Sequence, residues 1–401
     1  MTATATVTAT TSAAEHVLTD AMLGRFDERA PVYDRENRFF HEDFEELRES
    51  GYLNVAVPTE FGGLGLGIDE VVKLQRRLAY VAPATAVAVN MHIYWTGIAA
   101  DLHRQGDTSC DWLLRESAAG KVFAAGHGES GNDMPVFLSS SNADRVDGGW
   151  EFTGHKIFGS LSPVWDYLGV HAMDTSDPSA PKIVHAFLPR DTPRYRIEKT
   201  WDVLGMRATE SHDTILDRTF IADEHTPVVC AAGFAGAGPF HLSLFAWALL
   251  GFGAVYSGIA RRAYDLTVDK MDSRTSVALT RSMAHHPEVQ HYVAEMRMNL
   301  ELIDAYLERT AADWAAGADY GMDWPVKIIS TKYIVVNRAF DIVDRALDLS
   351  GGAGIFKRTR LEQLFRDCRL GRIHPANELL SHEVVGKLSL GLNPDDPQRW
   401  G

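Results

Sequence analysis

The chain has 401 residues, of which 45% are hydrophobic and 23% are charged, and this balance excludes a disordered or fibrous protein. The formal net charge of −15 argues against a nucleic-acid partner, which would need a basic surface. The cysteines are far apart and form no CxxC pair, so neither a disulfide framework nor a metal site is predicted; they are Cys110, Cys230 and Cys368.

The chain begins with a predicted disordered tail over residues 1–14, which has no basic segment and no apolar core and does not resemble a signal peptide. Residues 15–121 are predicted to form an N-terminal helical domain. Within it, apolar side chains recur at helical spacing over residues 68–80, which predicts an amphipathic helix. The predicted buried face consists of Ile68, Val71, Val72, Leu74 and Leu78.

The pattern then changes to short alternating runs broken by glycine, aspartate and proline, which predicts a middle β-domain over residues 122–230. Helical periodicity returns over residues 231–401 and predicts a C-terminal helical bundle. Residues 226–260 contain no Asp, Glu, Lys or Arg and are long enough to span a bilayer. Interrupting glycines favour a buried helix entered from a glycine-rich loop instead. We therefore expect a cytoplasmic protein with no membrane partner.

Several short motifs occur in a fixed order along the chain. They are Val57-Pro-Thr-Glu-Phe-Gly-Gly-Leu-Gly65, Gly154-His-Lys-Ile-Phe158, Leu204-Gly-Met-Arg-Ala-Thr209, and Gly351-Gly-Ala-Gly354 with Phe365-Arg-Asp367. In order and spacing they resemble the acyl-CoA dehydrogenase superfamily over most of the chain. The resemblance implies an α+β fold with an N-terminal helical domain, a middle β-domain and a C-terminal four-helix bundle. It also implies a flavin between the β-domain and the bundle, and a homotetramer.

Two chemistries occur in this superfamily, and the sequence departs from the pattern of the dehydrogenases. Those enzymes use a carboxylate as general base, but Pro375 stands where most members have the glutamate. Residues 245–250, where other members carry the base, contain no carboxylate, and neither Glu378 nor Glu383 is in register. The Arg-x-x-Phe-Gly element that holds flavin adenine dinucleotide is altered to Ser273-Arg-Thr-Ser-Val277. These departures argue against ordinary acyl-CoA dehydrogenation.

The chain resembles more closely the two-component flavin monooxygenases and N-oxygenases of the same superfamily. Their pattern of two histidines and a serine falls on His92, Ser160 and His374, which are the predicted catalytic residues. The histidines would steady a peroxide and deliver a proton, and the serine would contact the flavin. Structural alternatives remain: His92 as a packed core histidine, Ser160 as a flavin-contacting hydroxyl in either branch, and His374 as an ordinary polar residue.

This resemblance implies an enzyme that takes reduced flavin from a separate flavin reductase and uses O2 as co-substrate. A C4a-hydroperoxyflavin would transfer one oxygen atom to nitrogen, sulfur or electron-rich carbon of a small-molecule substrate. The alternative is an FAD-dependent acyl-CoA dehydrogenase that desaturates an acyl thioester and passes electrons to an electron-transfer flavoprotein. A third hypothesis is a catalytically silent relative that serves as a binding or scaffold subunit.

Matching positions also predict the flavin contacts, without distinguishing FAD from FMN. Glycines let the backbone approach the ring system, an aromatic ring can cover one face of it, and an arginine suits its phosphate. In the loop over residues 126–133, His127 and Glu129 replace the family's usual acid and small residue. The predicted contacts are Gly126, Gly131, Asn132, Phe158, Ser160, Arg274, Gly351 and Gly352.

Overall fold

The computed structural model describes residues 16–395, so the tail predicted over residues 1–14 lies outside the described residues. The first part of the described range is helical, with α1 (Asp20–Glu36), α2 (His41–Glu49), α3 (Ile68–Val81), α4 (Pro83–Arg104) and α5 (Asp111–Ala118). All five side chains predicted for the apolar face of α3 are buried, which confirms that prediction. Asp69 and Glu70 occupy the first turn of α3, where carboxylates interact favourably with the helix dipole.

The middle of the chain forms an eight-stranded sheet. Its strands are β1 (Phe123–Gly126), β2 (Asn142–Val146), β3 (Gly149–Gly159), β4 (Tyr167–Asp174), β5 (Lys182–Pro189), β6 (Tyr195–Glu198), β7 (His212–Ala222) and β8 (Val228–Ala231). The strand order is β6-β7-β3-β2-β4-β5-β8, and β1 lies parallel to β4. The pairing of β3 with β7 shifts register between Lys156 and Gly159, and such irregularities bend a strand and redirect its side chains.

The C-terminal part returns to helices, with α6 (Pro239–Met271), α7 (Pro287–Ala315), α8 (Trp324–Ser350), α9 (Arg360–Arg369) and α10 (Glu378–Ser389). The helix α6 packs against α3, α4, α7 and α8. Among the described residues it is the one helix long and apolar enough to cross a bilayer, and 89% of its most apolar stretch is buried inside the fold. The predicted buried helix and the α+β class are therefore confirmed.

One contact network joins the two helical parts to the sheet domain. Arg366 on α9 makes two bonds, of 3.0 and 2.6 Å, to the carboxylate of Asp34 on α1. Arg366 also donates to the carbonyl of Leu204, which lies in the loop between β6 and β7. The next residue, Asp367, accepts the backbone N–H of Met206 at 2.5 Å. This loop is therefore fixed to helices from both ends of the chain.

Candidate active site

The end of β3 presents an exposed aromatic ring at the edge of the sheet. Phe158 is 53% exposed and has a left-handed backbone (φ 61°), within the register shift described above. Its ring packs edge-on against Trp201, with the centroids 6.0 Å apart. An exposed phenylalanine loses the free energy of burial unless another apolar group covers it. This surface is therefore suited to a flat ring system.

Ser160, two residues further on, begins a chain of hydrogen bonds whose direction can be worked out. The Thr209 hydroxyl donates its single hydrogen to the Met206 carbonyl at 2.9 Å, so the Ser211 hydroxyl donates to Thr209 at 2.7 Å. The Ser160 hydroxyl, 2.7 Å from Ser211, then donates to Ser211. Because its hydrogen is used inside the protein, the Ser160 oxygen is left as a hydrogen-bond acceptor toward a ligand.

A buried ion pair holds the loop over residues 126–133. The Glu129 carboxylate accepts a bond of 2.5 Å from Lys156 and bonds of 2.6 Å from the hydroxyls of Ser139 and Ser141. Burial alone would raise the pKa of Glu129, but the Lys156 ammonium and these hydroxyls hold it well below its usual range. The ammonium also donates to the backbone carbonyl of His171. The unusual acid at position 129 therefore has a structural partner in the motif that includes Lys156.

The three flavin contacts predicted in this loop have different surroundings. Gly126 is buried at the end of β1, where a Cβ would lie 3.2 Å from the Leu168 side chain. Gly131 is exposed, has φ 76° and has open space beside it. The side-chain amide of Asn132 donates to Glu129 and to a carbonyl of its own loop, and its oxygen accepts a loop N–H. The structure thus uses the Asn132 side chain to fasten the loop and does not support its predicted flavin contact.

A second group of predicted contacts comes together where α6 and α8 end. Gly351 has φ 57°, and a Cβ there would lie only 2.8 Å from a guanidinium nitrogen of Arg274. The exposed Gly352 follows directly. A cavity of about 320 Å³ opens here, and the cationic side chains of Lys270 and Arg274 in its lining suit a phosphate group. The lining hydroxyls donate their hydrogens to backbone carbonyls of the protein and are left as acceptors. The polar and glycine lining of the cavity comprises Lys270, Ser273, Arg274, Ser350, Thr359 and Gly354, with Thr267 beside them.

His374 lies between α9 and α10 with its ring against α6. The ring centroid is 4.4 Å from that of Phe252 and 5.9 Å from that of Tyr256. His374 is half-buried, and among the described residues no protein group is hydrogen-bonded to its ring nitrogens. The buried Tyr256 hydroxyl also lacks a hydrogen-bond partner. Burial, together with the nearby charge of Lys332, lowers the pKa of His374 to about 3, so the ring is neutral at neutral pH. Sequence reasoning did not identify Tyr256, which is one of many apolar positions on its helix.

The two carboxylates that could replace the missing base follow His374 on α10. Pro375 is exposed beside His374, and Glu378 is exposed at the first position of α10. Glu383 lies one turn further along the same helix and forms an ion pair of 3.0 Å with Lys387. The position to which the resemblance assigns the base of the dehydrogenases is therefore occupied by Pro375.

His92, the other predicted catalytic histidine, lies in the interior of the N-terminal domain. Its Nδ1 accepts the backbone N–H of Phe123 at 3.0 Å, and its Nε2 lies 3.1 Å from the Leu53 carbonyl and 3.3 Å from the Ser117 hydroxyl. Burial lowers its pKa to about 4. Both nitrogens are thus used by protein groups, and the geometry supports the packed core histidine and not the catalytic role.

Four histidines that sequence reasoning did not group together meet between the sheet and α6. His171 and His185 are opposite one another on β4 and β5, and the Nε2 atoms of His185 and His241 are 3.2 Å apart. The ring of His127 lies 5.2 Å from that of His171. Burial lowers the pKa of all four side chains, so they are neutral. Within residues 16–395, no group of three or more potential ligands is arranged to hold a metal ion.

Comparison with known families agrees with this architecture. The family model for the acyl-CoA dehydrogenase N-terminal domain matches residues 13–107, and that for the acyl-CoA dehydrogenase C-terminal domain matches residues 250–378. The chain therefore belongs to the acyl-CoA dehydrogenase superfamily, a family of flavin-dependent oxidoreductases whose members similar to this chain include nitrososynthases and flavin monooxygenases.

Individual relatives come from both branches of the superfamily. The chain is 28% identical to YdbM of Bacillus subtilis over 91% of this chain and 92% of that protein. YdbM is named as an acyl-CoA dehydrogenase by assignment only. It is 27% identical to L-evernosamine nitrososynthase of a Micromonospora species, over 94% of this chain and 89% of that one. The structure of KijD3 with FMN and an amino-keto sugar nucleotide superposes with a TM-score of 0.83 at 25% identity, covering 96% of this chain and 95% of KijD3.

Proposed function

We propose that this chain is the oxygenase component of a flavin-dependent monooxygenase, which uses reduced flavin and O2 to transfer one oxygen atom to a small molecule. The observation that carries the proposal is His374, whose ring nitrogens are free, next to Pro375 in the register where dehydrogenases hold their base. Similarity to nitrososynthases and to the FMN-bound KijD3 structure supports the same branch.

The residues of the candidate site fit a flavin, either FMN or FAD. Arg274 and the adjoining cavity would hold a phosphate, Phe158 would cover one face of the ring system, and the Ser160 oxygen would accept a hydrogen bond. Gly351 and Gly352 would let the backbone approach. Bound reduced flavin supplies the electrons that activate dioxygen.

His374 suits the control of a reactive oxygen species because it is neutral and partly enclosed. Its pKa of about 3 leaves a neutral imidazole, which donates through one nitrogen and accepts through the other. The ring can therefore donate a hydrogen bond to an oxygen atom of the reacting species without adding a charge. The rings of Phe252 and Tyr256 exclude water from one of its sides, and excluding water suppresses the unproductive release of peroxide.

We infer a small-molecule substrate with a nitrogen, sulfur or electron-rich carbon that accepts oxygen. The nitrososynthase relative and the amino sugar nucleotide bound to KijD3 favour an amine over the other two. The related HsaA of Rhodococcus jostii is named an oxygenase subunit, which supports a separate flavin reductase as partner here. A homotetramer in the cytoplasm stays our prediction for the assembled protein.

The experiment that tests the proposal measures peroxide release from the reduced protein–FMN complex after mixing with oxygenated buffer. We expect His374→Ala to release peroxide about tenfold faster, since the loss of one hydrogen bond to a reacting oxygen costs on the order of 1.4 kcal/mol. Flavin affinity should be unchanged. The matched control is His382→Ala, an exposed histidine on α10, which should leave the rate as it is.

An equal rate of peroxide release in His374→Ala and the unaltered chain would remove the basis of the proposal. The similarity to YdbM favours acyl-CoA dehydrogenation as the second candidate function. Under anaerobic conditions, bleaching of protein-bound FAD by members of an acyl-CoA panel would establish that alternative. A chain that binds neither FMN nor FAD in any redox state would instead be a binding or scaffold subunit.

A further inference from the structure

The side chain of Lys332 on α8 is buried, with a relative exposure of 2%. Its ammonium donates to three backbone carbonyls, those of Gly371 at 3.1 Å, His374 at 2.7 Å and Ala376 at 2.8 Å. A lysine ammonium has three hydrogens, so each of them has an acceptor. All three acceptors belong to residues 371–376, the segment between α9 and α10 that carries His374.

The backbone of this segment comes close enough for these bonds because Gly371 has no side chain. A Cβ at Gly371 would lie 2.7 Å from Val336 on α8 and 2.9 Å from the ring of Tyr256 on α6. The C-terminal end of the segment is secured separately, since Asn377 caps α10 by accepting the N–H of Leu380. Lys332 therefore anchors the middle of the segment from the protein interior.

Burying an ammonium is costly, and burial lowers the pKa of Lys332 to about 7. Its position also affects His374 directly, because the Lys332 charge adds to burial in keeping the imidazole neutral. A buried lysine that only filled space could be replaced by an apolar side chain at lower cost. Its three bonds to one short segment are the contacts that such a replacement would lose.

We propose that Lys332 is a positioning residue: its three hydrogen bonds hold the backbone of residues 371–376 and thereby set the orientation of the His374 ring beside Phe252 and Tyr256. The functional part of this inference rests on the function proposed above. Lys332 itself does not contact reacting atoms.

The first test uses the flavin-free protein and reads the segment itself. In Lys332→Met, the backbone amides of residues 371–374 and of Ala376 should exchange with solvent at least tenfold faster, and the His374 ring resonance in a histidine-labelled sample should shift. The resonance is assigned by its loss in His374→Ala. The matched control is Lys327→Met on the same helix, whose ammonium lies 4.0 Å from the Tyr320 ring centroid and does not bond the segment. Unchanged exchange and an unshifted resonance in Lys332→Met would overturn the proposal.

The second test uses the reduced FMN complex. Lys332→Met should speed peroxide release as His374→Ala does, and the double variant should be no faster than His374→Ala alone, because both changes remove the same interaction. Additive effects would overturn the positioning role. If His374→Ala itself has no effect, the proposed function fails, whereas the exchange and resonance measurements still decide the positioning. Should Lys332→Met not fold, Gly371→Ala is the second variant, since its Cβ would push the segment away from Val336 and Tyr256.

Discussion

Among single residues, the pair of Glu129 and Lys156 shows what a buried charge requires. Every hydrogen of the Lys156 ammonium has an acceptor, and the carboxylate of Glu129 receives side-chain and backbone donors. Removing one member leaves the other charged and unpaired in the interior. The motif Gly154-His-Lys-Ile-Phe158 is visible in the sequence, but its acidic partner lies in another segment and only the fold brings the two together.

We therefore expect Lys156→Met to lower the free energy of unfolding by about 3–5 kcal/mol. The double variant Glu129→Leu/Lys156→Met should recover part of this loss, because it leaves no isolated charge. Urea unfolding at pH 7 measures both. The exposed Lys121→Met, which loses a surface ion pair to Asp166, is the control and should change little. A single variant as stable as the unaltered chain would show that the pair is not buried as described.

Arg274 provides a test of the phosphate site. If its guanidinium binds a flavin phosphate, Arg274→Ala should raise the Kd for FMN about tenfold or more, since a charged hydrogen bond contributes about 1.5–3 kcal/mol. Binding of riboflavin, which has no phosphate, should be unaffected. Arg281→Ala is the matched control, because Arg281 is exposed and contacts His285. An equal loss for riboflavin and FMN would assign Arg274 a structural role instead.

At the level of whole elements, the contact between the β6–β7 loop and α9 explains two sequence motifs at once. Leu204-Gly-Met-Arg and Phe365-Arg-Asp are far apart in the sequence, yet Arg366 and Asp367 bond the backbone of Leu204 and Met206. The periodicity of the sequence predicts α3 because it depends on neighbours along one helix. It cannot predict this contact, because the local sequence of a helix does not determine which distant loop packs against it.

Gly205 is the residue that allows this contact. A Cβ at Gly205 would lie 2.4 Å from the carbonyl oxygen of Arg366, which is closer than the atoms can approach. Gly205→Ala should therefore push the loop from α9 and destabilise the fold by about 1–3 kcal/mol. Thermal unfolding measures the change. Gly386→Ala on α10 has open space around it and should be neutral or slightly stabilising, because alanine favours helices. Equal melting temperatures for both variants would contradict the described approach.

For the molecule as a whole, buried histidines dominate the expected response to acid. Burial lowers the pKa of His92 and His241 to about 4 and that of His127 and His374 to about 3. In the unfolded chain these side chains titrate near 6.5. Below about pH 6.5 the unfolded state therefore binds protons that the folded state does not bind, and the free energy of unfolding decreases as the pH falls. Carboxyls with raised pKa values act in the opposite direction; burial raises the pKa of Asp43 and Asp367 to about 7 and also raises that of Asp101 and Glu70.

Because eight histidines have a lowered pKa and outnumber these carboxyls, we expect the free energy of unfolding to decrease steadily between pH 6.5 and pH 4. Each lowered histidine contributes up to about 1.4 kcal/mol per pH unit in that range. Urea unfolding at several pH values measures the slope. His241→Gln removes one of these sites and should make the slope shallower, whereas the exposed His291→Gln should not. A stability independent of pH across this range would contradict the neutral, buried state of these rings.

The central position of α6 also has a consequence for biosynthesis. Two of the helices that pack against it, α3 and α4, leave the ribosome before it, but the other two, α7 and α8, are made after it. The nascent chain thus carries a long helix, uncharged over residues 239–260, that is only partly covered. Newly made chains with such exposed surface aggregate or are bound by chaperones. The apolar surface of α6 can therefore be fully covered only after α8 has been synthesised, and until then the nascent chain is prone to aggregate.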